Sequence, residues 1–186
     1  MKVKDIILHA LKLAGREDIA TALENDEVED GEFKNEIQTA LLCFNAVEDE
    51  LARRYLPLKT CEKFFSDCGE IEFTEFSERP VKILSVKTPA GKCDFEVTPR
   101  KLKTCAGEVN VEYNFAPKPK TLEGDSAYTG IQASVALIAA GVASEYCLLS
   151  GDAGAANVWE TKYRREIDLI QRKKYADAKI PPRRWV

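Results

Sequence analysis

The sequence predicts an α+β fold, with a mainly helical core of about four helices and an inserted small antiparallel β-subdomain. Three observations carry that prediction. Apolar residues recur at helical spacing near both ends of the chain. Between residues 61 and 116 the spacing falls to two. Glycine, proline and acidic residues punctuate that middle stretch. At 186 residues the chain fits one domain. The expected layout is a single domain over 1–186. Its helical core comes from 1–58 and 125–176, its β-subdomain from 61–116, and an extended C-terminal arm from 177–186.

Residues 3–14 place Val3, Ile6, Ile7, Ala10, Leu11 and Ala14 on one helical face, and Gly15 is a natural stop. A short helical turn is expected over 19–23. The acidic stretch NDEVEDGE follows as a loop or helix start. Over 33–55 a longer stripe runs through Phe33, Ile37, Leu41, Phe44, Leu51 and Tyr55, and it must end before Pro57. EIEFTEF, PVKILSV, KCDFEVT and EVNVEYNF then read as four or five short strands, each with one wet face. Asp125 and Ser126 offer an N-cap for a helix over 126–149, rich in small residues that let another helix approach closely. Asp152 caps a last helix, with Val158 or Trp159, Tyr163, Ile167 and Ile170 as its buried stripe. Pro181 and Pro182 force the tail out of helix.

Charge is unevenly placed. Residues 1–50 hold 13 Asp/Glu against 5 Lys/Arg, and residues 160–186 hold 9 Lys/Arg against 4 Asp/Glu. Such asymmetry suits a charged partner or the self-association of unlike ends; two solvated helical faces would show it equally. The six cysteines contain no C-x-x-C pair and follow no secretory leader, so free thiols in a reducing cytoplasm are expected. The longest apolar run, over 135–143, is too short to cross a bilayer, so no membrane partner is expected.

Motifs for chemistry are missing. His9 stands alone beside an apolar stripe, without the orienting partner that general-base catalysis needs. The cysteine and histidine spacings build no zinc site. Residues 26–31 resemble a calcium loop only superficially, because Ile37 stands where a bidentate Glu is required. Gly151-Asp152-Ala153-Gly154 opens a helix, but Asp152 is itself an anion there and reads as a cap. No catalytic, cofactor-binding or metal residue is assigned, no cofactor is expected, and the chain reads as non-enzymatic. Nucleic-acid binding is the more serious option, since Lys162, Arg164, Arg165, Arg172, Lys173, Lys174, Arg183 and Arg184 have the charge to meet phosphates. Carboxylates of a protein partner would serve those side chains as well.

VALIAAGVASEYCLLSGDAGAANVWETKYRREIDLIQRKK is an Ala/Gly-rich helix ending in Glu145-Tyr146, a small-residue turn, and a helix bearing Trp159 and Tyr163. It resembles the C-terminal helix pair of head–tail connector (adaptor) proteins of tailed bacteriophages. VKDIILHALKLAG and NEIQTALLCFNAVEDELARRYLPL look like that family's two opening helices. RPVKILSVKTPAGK and GEVNVEYNFAPKPKTL are similar to the strand region of its tail-tubular adaptors. The resemblance covers the order and texture of most of the chain.

The resemblance implies a virion protein of the neck, assembled in the host cytoplasm. Such a protein forms a ring, commonly of twelve copies, under the portal protein. The ring extends the DNA channel, through which DNA passes without sequence-specific binding, and offers a platform for tail or neck proteins. Carried onto this chain, the portal-binding arm would use Ile180, Pro181, Arg183, Arg184 and Trp185. Glu27, Glu29 and Asp30, with Arg164, Arg165, Arg172, Lys173 and Lys174, would lie at the subunit interface or the DNA channel. The alternative is a DNA-binding module using the basic C-terminal helix.

Overall fold

The computed structural model describes residues 1–25 and 31–176, the side chains of residues 32 and 173–176 excepted. The chain divides into two compact units, one from Met1–Val47 together with the chain from Lys120 onward, the other from Glu48–Pro119.

The helical unit begins with α1 (Val3–Leu13), which buries Val3, Ile6, Ile7, Ala10 and Leu11. Gly15 ends it at φ +74°, a conformation that costs glycine nothing. There the Arg16 N–H donates to the Leu11 carbonyl at 2.9 Å and the Gly15 N–H to Lys12 at 3.2 Å. This is the paired closure that satisfies a helix's last carbonyls. α2 (Glu17–Glu24) turns Ile19, Ala20 and Leu23 inward. α3 (Gly31–Glu50) buries Ile37, Ala40, Cys43, Phe44 and Val47, a stripe at helical spacing. α4 (Val135–Leu149) differs, because every residue from Leu137 to Ser144 is buried. It packs against α1 and against α5 (Ala153–Ala176). Gly141 makes that possible: a Cβ there would lie 2.9 Å from Tyr163 Cε2 and 3.0 Å from Val47 Cγ1. The Ser144 hydroxyl donates to the Ala156 carbonyl at 3.0 Å, tying α4 to α5. Asp152 Oδ1 accepts from the Ala155 N–H at 2.9 Å and caps α5, which buries Ala156, Tyr163 and Ile167.

α3 runs on into a π-helical turn, Leu51–Tyr55, and the strand unit follows it. The strands are β1 (Leu58–Ser66), β2 (Glu70–Glu72), β3 (Arg79–Thr88), β4 (Gly91–Cys93), β5 (Glu96–Val97), β6 (Lys101–Lys103) and β7 (Gly107–Ala116). One antiparallel sheet has the order β1-β7-β3-β4 and the other β2-β6-β5. Ile71 and Leu102 from the smaller sheet join Ile83, Val86, Val109, Val111 and Tyr113 from the larger in one buried cluster. Phe76 completes it, its ring edge-on to Tyr113 with centroids 5.0 Å apart. Cys93 and Cys105 are bonded, joining the end of β4 to the segment between β6 and β7. Closing a loop of that length contributes about 3 kcal/mol, mainly by restricting the unfolded chain.

Three expectations are corrected here. The protein is α+β, but it is not a core of four helices with a small inserted β-subdomain. The described residues contain five α-helices and seven strands in two sheets, and the strands have their own hydrophobic cluster. Two strands were hidden from a period-two reading. β1 turns Thr60 and Glu62 to its half-buried face, and β6 is three residues with a single buried Leu102. KCDFEVT also breaks into β4 and β5 around Asp94 and Phe95. Second, α4 starts at Val135, not at residue 126. Ser126 Oγ accepts from the Tyr128 N–H at 3.1 Å, forming a turn, while Ser134 takes the capping role, accepting from the Leu137 N–H at 3.1 Å. Third, Cys43, Cys61, Cys68 and Cys147 are free, but Cys93 and Cys105 are not.

A polar anchor stands at the edge of the strand cluster. Glu62 accepts from the Tyr113 hydroxyl, the Ser77 hydroxyl and, at 3.2 Å, the Ser77 N–H. Burial works to raise the Glu62 pKa, but those hydrogen bonds together hold it below the ordinary glutamate value. A carboxylate depressed in the folded state stabilises fully above its unfolded pKa, and that contribution is lost as pH falls through the folded pKa. Denaturant unfolding over a pH series is therefore expected to show Glu62→Gln less stable than the parent near neutrality. The gap between the two should close as pH drops below the usual glutamate range. A gap that stays constant with pH would contradict the assignment.

Candidate interaction surface on the last helix

α5 has two faces of opposite character. Ala156, Tyr163 and Ile167 point into the helical unit, with Trp159 and Ile170 half-buried beside them. On the far side Val158, Lys162, Arg165, Leu169 and Arg172 follow one another at steps of four, three, four and three, so they form one stripe along the helix. All five are exposed, Val158 by 61% and Leu169 by 43%. Val158 and Leu169 are thus single aliphatic side chains spaced along a basic face, about 16 Å of helix apart. At the end of α4, Leu148 (59%) and Leu149 (66%) are exposed as well.

The cations differ in their engagement. Arg164 pairs with Glu160 one turn away on its own helix. The Lys162 ammonium lies 5.0 Å from the centroid of the Trp159 ring, a cation–π contact that also covers the indole. Arg165 and Arg172 have no carboxylate within 4.0 Å among the described residues. Of the site residues expected from the sequence, α5 thus brings together Arg164, Arg165 and Arg172. Lys173 and Lys174 belong to the same helix, with side chains outside the described residues. Glu27, Glu29 and Asp30 lie outside the described residues, as do Ile180, Pro181, Arg183, Arg184 and Trp185.

The sequence reading left Val158 and Trp159 as alternatives for the buried stripe. Trp159 is the half-buried one, which frees Val158 for the outward face. Leu169 also faces outward, off the stripe expected from the sequence. The signal that finds both is a second apolar pair on the helix, placed among the basic residues and opposite Tyr163 and Ile167.

Tyr146 fixes the end of α4 that carries Leu148 and Leu149. Its hydroxyl donates to Glu36 Oε2 at 2.6 Å and accepts from the Arg16 guanidinium at 3.1 Å; Arg16 itself lies 3.6 Å from Glu36. Burial first, and then the Glu36 carboxylate, push the Tyr146 pKa up, so the phenol stays a donor. Of the Glu145-Tyr146 pair noted in the sequence, Tyr146 is thus a structural clamp joining α4 to α3 and to the turn between α1 and α2, while Glu145 is exposed. Burial also pushes the Cys43 thiol up to about 11, which leaves it an unreactive core residue. His9 is exposed.

Among the described residues no cluster of His, Cys, Asp and Glu is placed to hold a metal ion. No described helix is long and apolar enough to cross a membrane. No protein-family model matches the chain, and no curated protein matches it.

Removing the Tyr146 hydroxyl leaves Glu36 and Arg16 without their shared partner. Tyr146→Phe is expected to lower the unfolding free energy by about 1–2 kcal/mol, read from urea denaturation. An unchanged midpoint would show that the clamp contributes nothing net.

Proposed function

We propose that the chain is a structural head–tail connector of a tailed bacteriophage. It forms a ring beneath the portal protein, extends the DNA channel and presents a platform to tail or neck proteins in the virion. The observation that carries the reading is the outward stripe of α5, where Val158 and Leu169 stand in solvent among Lys162, Arg165 and Arg172. A stripe of that kind suits a heterologous contact, in which one surface of a subunit meets a different surface of its neighbour and repetition closes a ring. The aliphatic pair would supply burial, and Arg165 and Arg172, without a carboxylate partner among the described residues, would supply register against a neighbour's carboxylates. The imbalance of charge between the two ends of the sequence provides those carboxylates. In this reading the chain is a non-catalytic scaffold without a cofactor. Its arm, Ile180, Pro181, Arg183, Arg184 and Trp185, is the part that reaches a partner, the portal included.

Arg165 and Arg172 also favour a second reading, a DNA-binding module that uses the basic helix. Sedimentation of the purified protein, alone and with portal, separates the two. The connector reading expects a multi-subunit species that shrinks as ionic strength rises from about 0.05 to about 0.5 M. It also expects a monomer with unchanged helical content for Val158→Glu combined with Leu169→Glu. A monomer under every condition, portal included, would refute it. Tight duplex binding at moderate salt by such a monomer would establish the alternative.

A further inference from the structure

A free cysteine stands beside the Cys93–Cys105 bond. β1 pairs with β7 as far as Ser66 opposite Gly107, and β2 pairs with β6 from Glu70 opposite Lys103. Both ladders are antiparallel and share one register, so 67–69 lies opposite 104–106 in the break between them. Cys68 is the middle residue of the first stretch and Cys105 of the second. The two stretches stay close. The Thr104 N–H donates to the Gly69 carbonyl at 2.7 Å. At Gly69, with φ +71°, a Cβ would lie 3.3 Å from the Cys105 carbonyl carbon. Cys68 Sγ lies 3.7 Å from the hydroxyl of Ser66, the residue that closes the β1–β7 ladder. Residues directly opposite across antiparallel strands have Cα atoms about 4.5–5.5 Å apart, a spacing that a disulfide spans.

The three sulfurs differ in access. Cys68 and Cys105 are exposed, whereas Cys93 is buried, so a thiolate meets the bond at its Cys105 end. The Cys93 sulfur has the surroundings of a leaving group. The Cys105 N–H donates to it at 3.2 Å. The Thr104 hydroxyl, 3.3 Å away, is also a donor to it, because a bonded sulfur carries no proton. Donors to a departing sulfur favour its thiolate and so speed exchange. Once protonated, the freed Cys93 thiol has an acceptor in the Asp94 carbonyl at 3.2 Å.

We propose that Cys68 is the resident exchange partner of this bond. The Cys68 thiolate attacks Cys105 Sγ. The Cys68–Cys105 bond forms as the Cys93–Cys105 bond breaks, and the electron pair of the broken bond leaves on Cys93 Sγ. Cys93 then takes up a proton in place of the one that Cys68 lost. One thiol and one disulfide give another thiol and another disulfide, so no oxidant or reductant is consumed. The effect is to move a cross-link within the strand unit. In one state it ties the end of β4 to 104–106. In the other it ties the turn between β1 and β2 to the same stretch and releases the end of β4, which keeps only its pairing with Val86, Lys87 and Thr88. The proposal does not rest on the connector reading.

The test uses the full chain, oxidised by glutathione disulfide to a single bond and held without oxygen at about pH 8, where thiolates form. Free thiols are then alkylated, and tryptic peptides, which separate Cys61, Cys68, Cys93 and Cys105, are mapped by mass spectrometry. Cys61 is the internal control: it is also free and exposed, but it stands opposite Glu112. The expected result is a Cys68–Cys105 link beside Cys93–Cys105, in excess of any Cys61–Cys105 link by at least about tenfold. The Cys93→Ser variant, given glutathione disulfide, should close Cys68–Cys105 in place of a lasting mixed disulfide with glutathione at Cys105. A parent chain that keeps Cys93–Cys105 alone overturns the proposal. So does a Cys61–Cys105 link in equal yield, or a Cys93→Ser variant that holds the mixed disulfide and never forms the new bond.

Discussion

The helical unit depends on one constraint, the burial of the middle of α4 on every side. An α-helix is normally apolar on one stripe, but α4 is enclosed along eight consecutive residues, Leu137 to Ser144. It meets α1 and α5, and Val47 of α3 reaches it at Gly141. Neighbours can surround a helix only where its side chains are small, and Ala139, Ala140, Gly141, Ala143 and Ser144 meet that condition. The cost of a glycine inside a helix, about 1 kcal/mol against alanine, is offset by the contact it admits. Because α4 holds the inner face of α5, it also determines which residues of α5 are left outside.

The strand unit solves the burial problem differently. Its cluster is drawn from two sheets and closed by aromatic edges, with Phe76 against Tyr113, Phe64 and Phe73. Its buried phenol is satisfied by Glu62, so the cluster keeps no unmet hydroxyl at that point. The Cys93–Cys105 bond ties together the short strands, which have few hydrogen bonds of their own. What remains is an incomplete sheet. β4 is too short to cover β3, and the stretch it leaves open borders a groove lined by Phe73, Val81, Ile83 and Val97.

Much of the fold was legible because long helices announce themselves by periodicity. The stripes of α1, α3 and α5, the stop at Gly15 and the Asp152 cap were all readable from residue type and spacing. The start of α4 was not. Two serines, Ser126 and Ser134, both stand ahead of the apolar run 135–143 as candidate caps, and only the structure makes the first a turn and the second a cap. Short strands were legible where alternation was clean, as in β7. They were obscured where an inward position carries a polar residue with a specific partner, as Glu62 does. Pairing of Cys93 with Cys105 has no local signature at all. At the candidate surface, the charge of α5 was evident, but which aliphatic residues turn outward depends on the phase of the helix. A one-residue ambiguity between Val158 and Trp159 was enough to hide it.

The central claim is that close packing around Gly141 sets the helical unit and, through it, the outward face of α5. Gly141→Leu tests it most directly, because any side chain there must displace the Tyr163 ring and Val47. Denaturant unfolding should show a loss of at least about 1–3 kcal/mol, the usual cost of overfilling a packed interior. Amide exchange in α1, α4 and α5 should rise together. A variant as stable as the parent, with protection in α4 unchanged, would contradict the account.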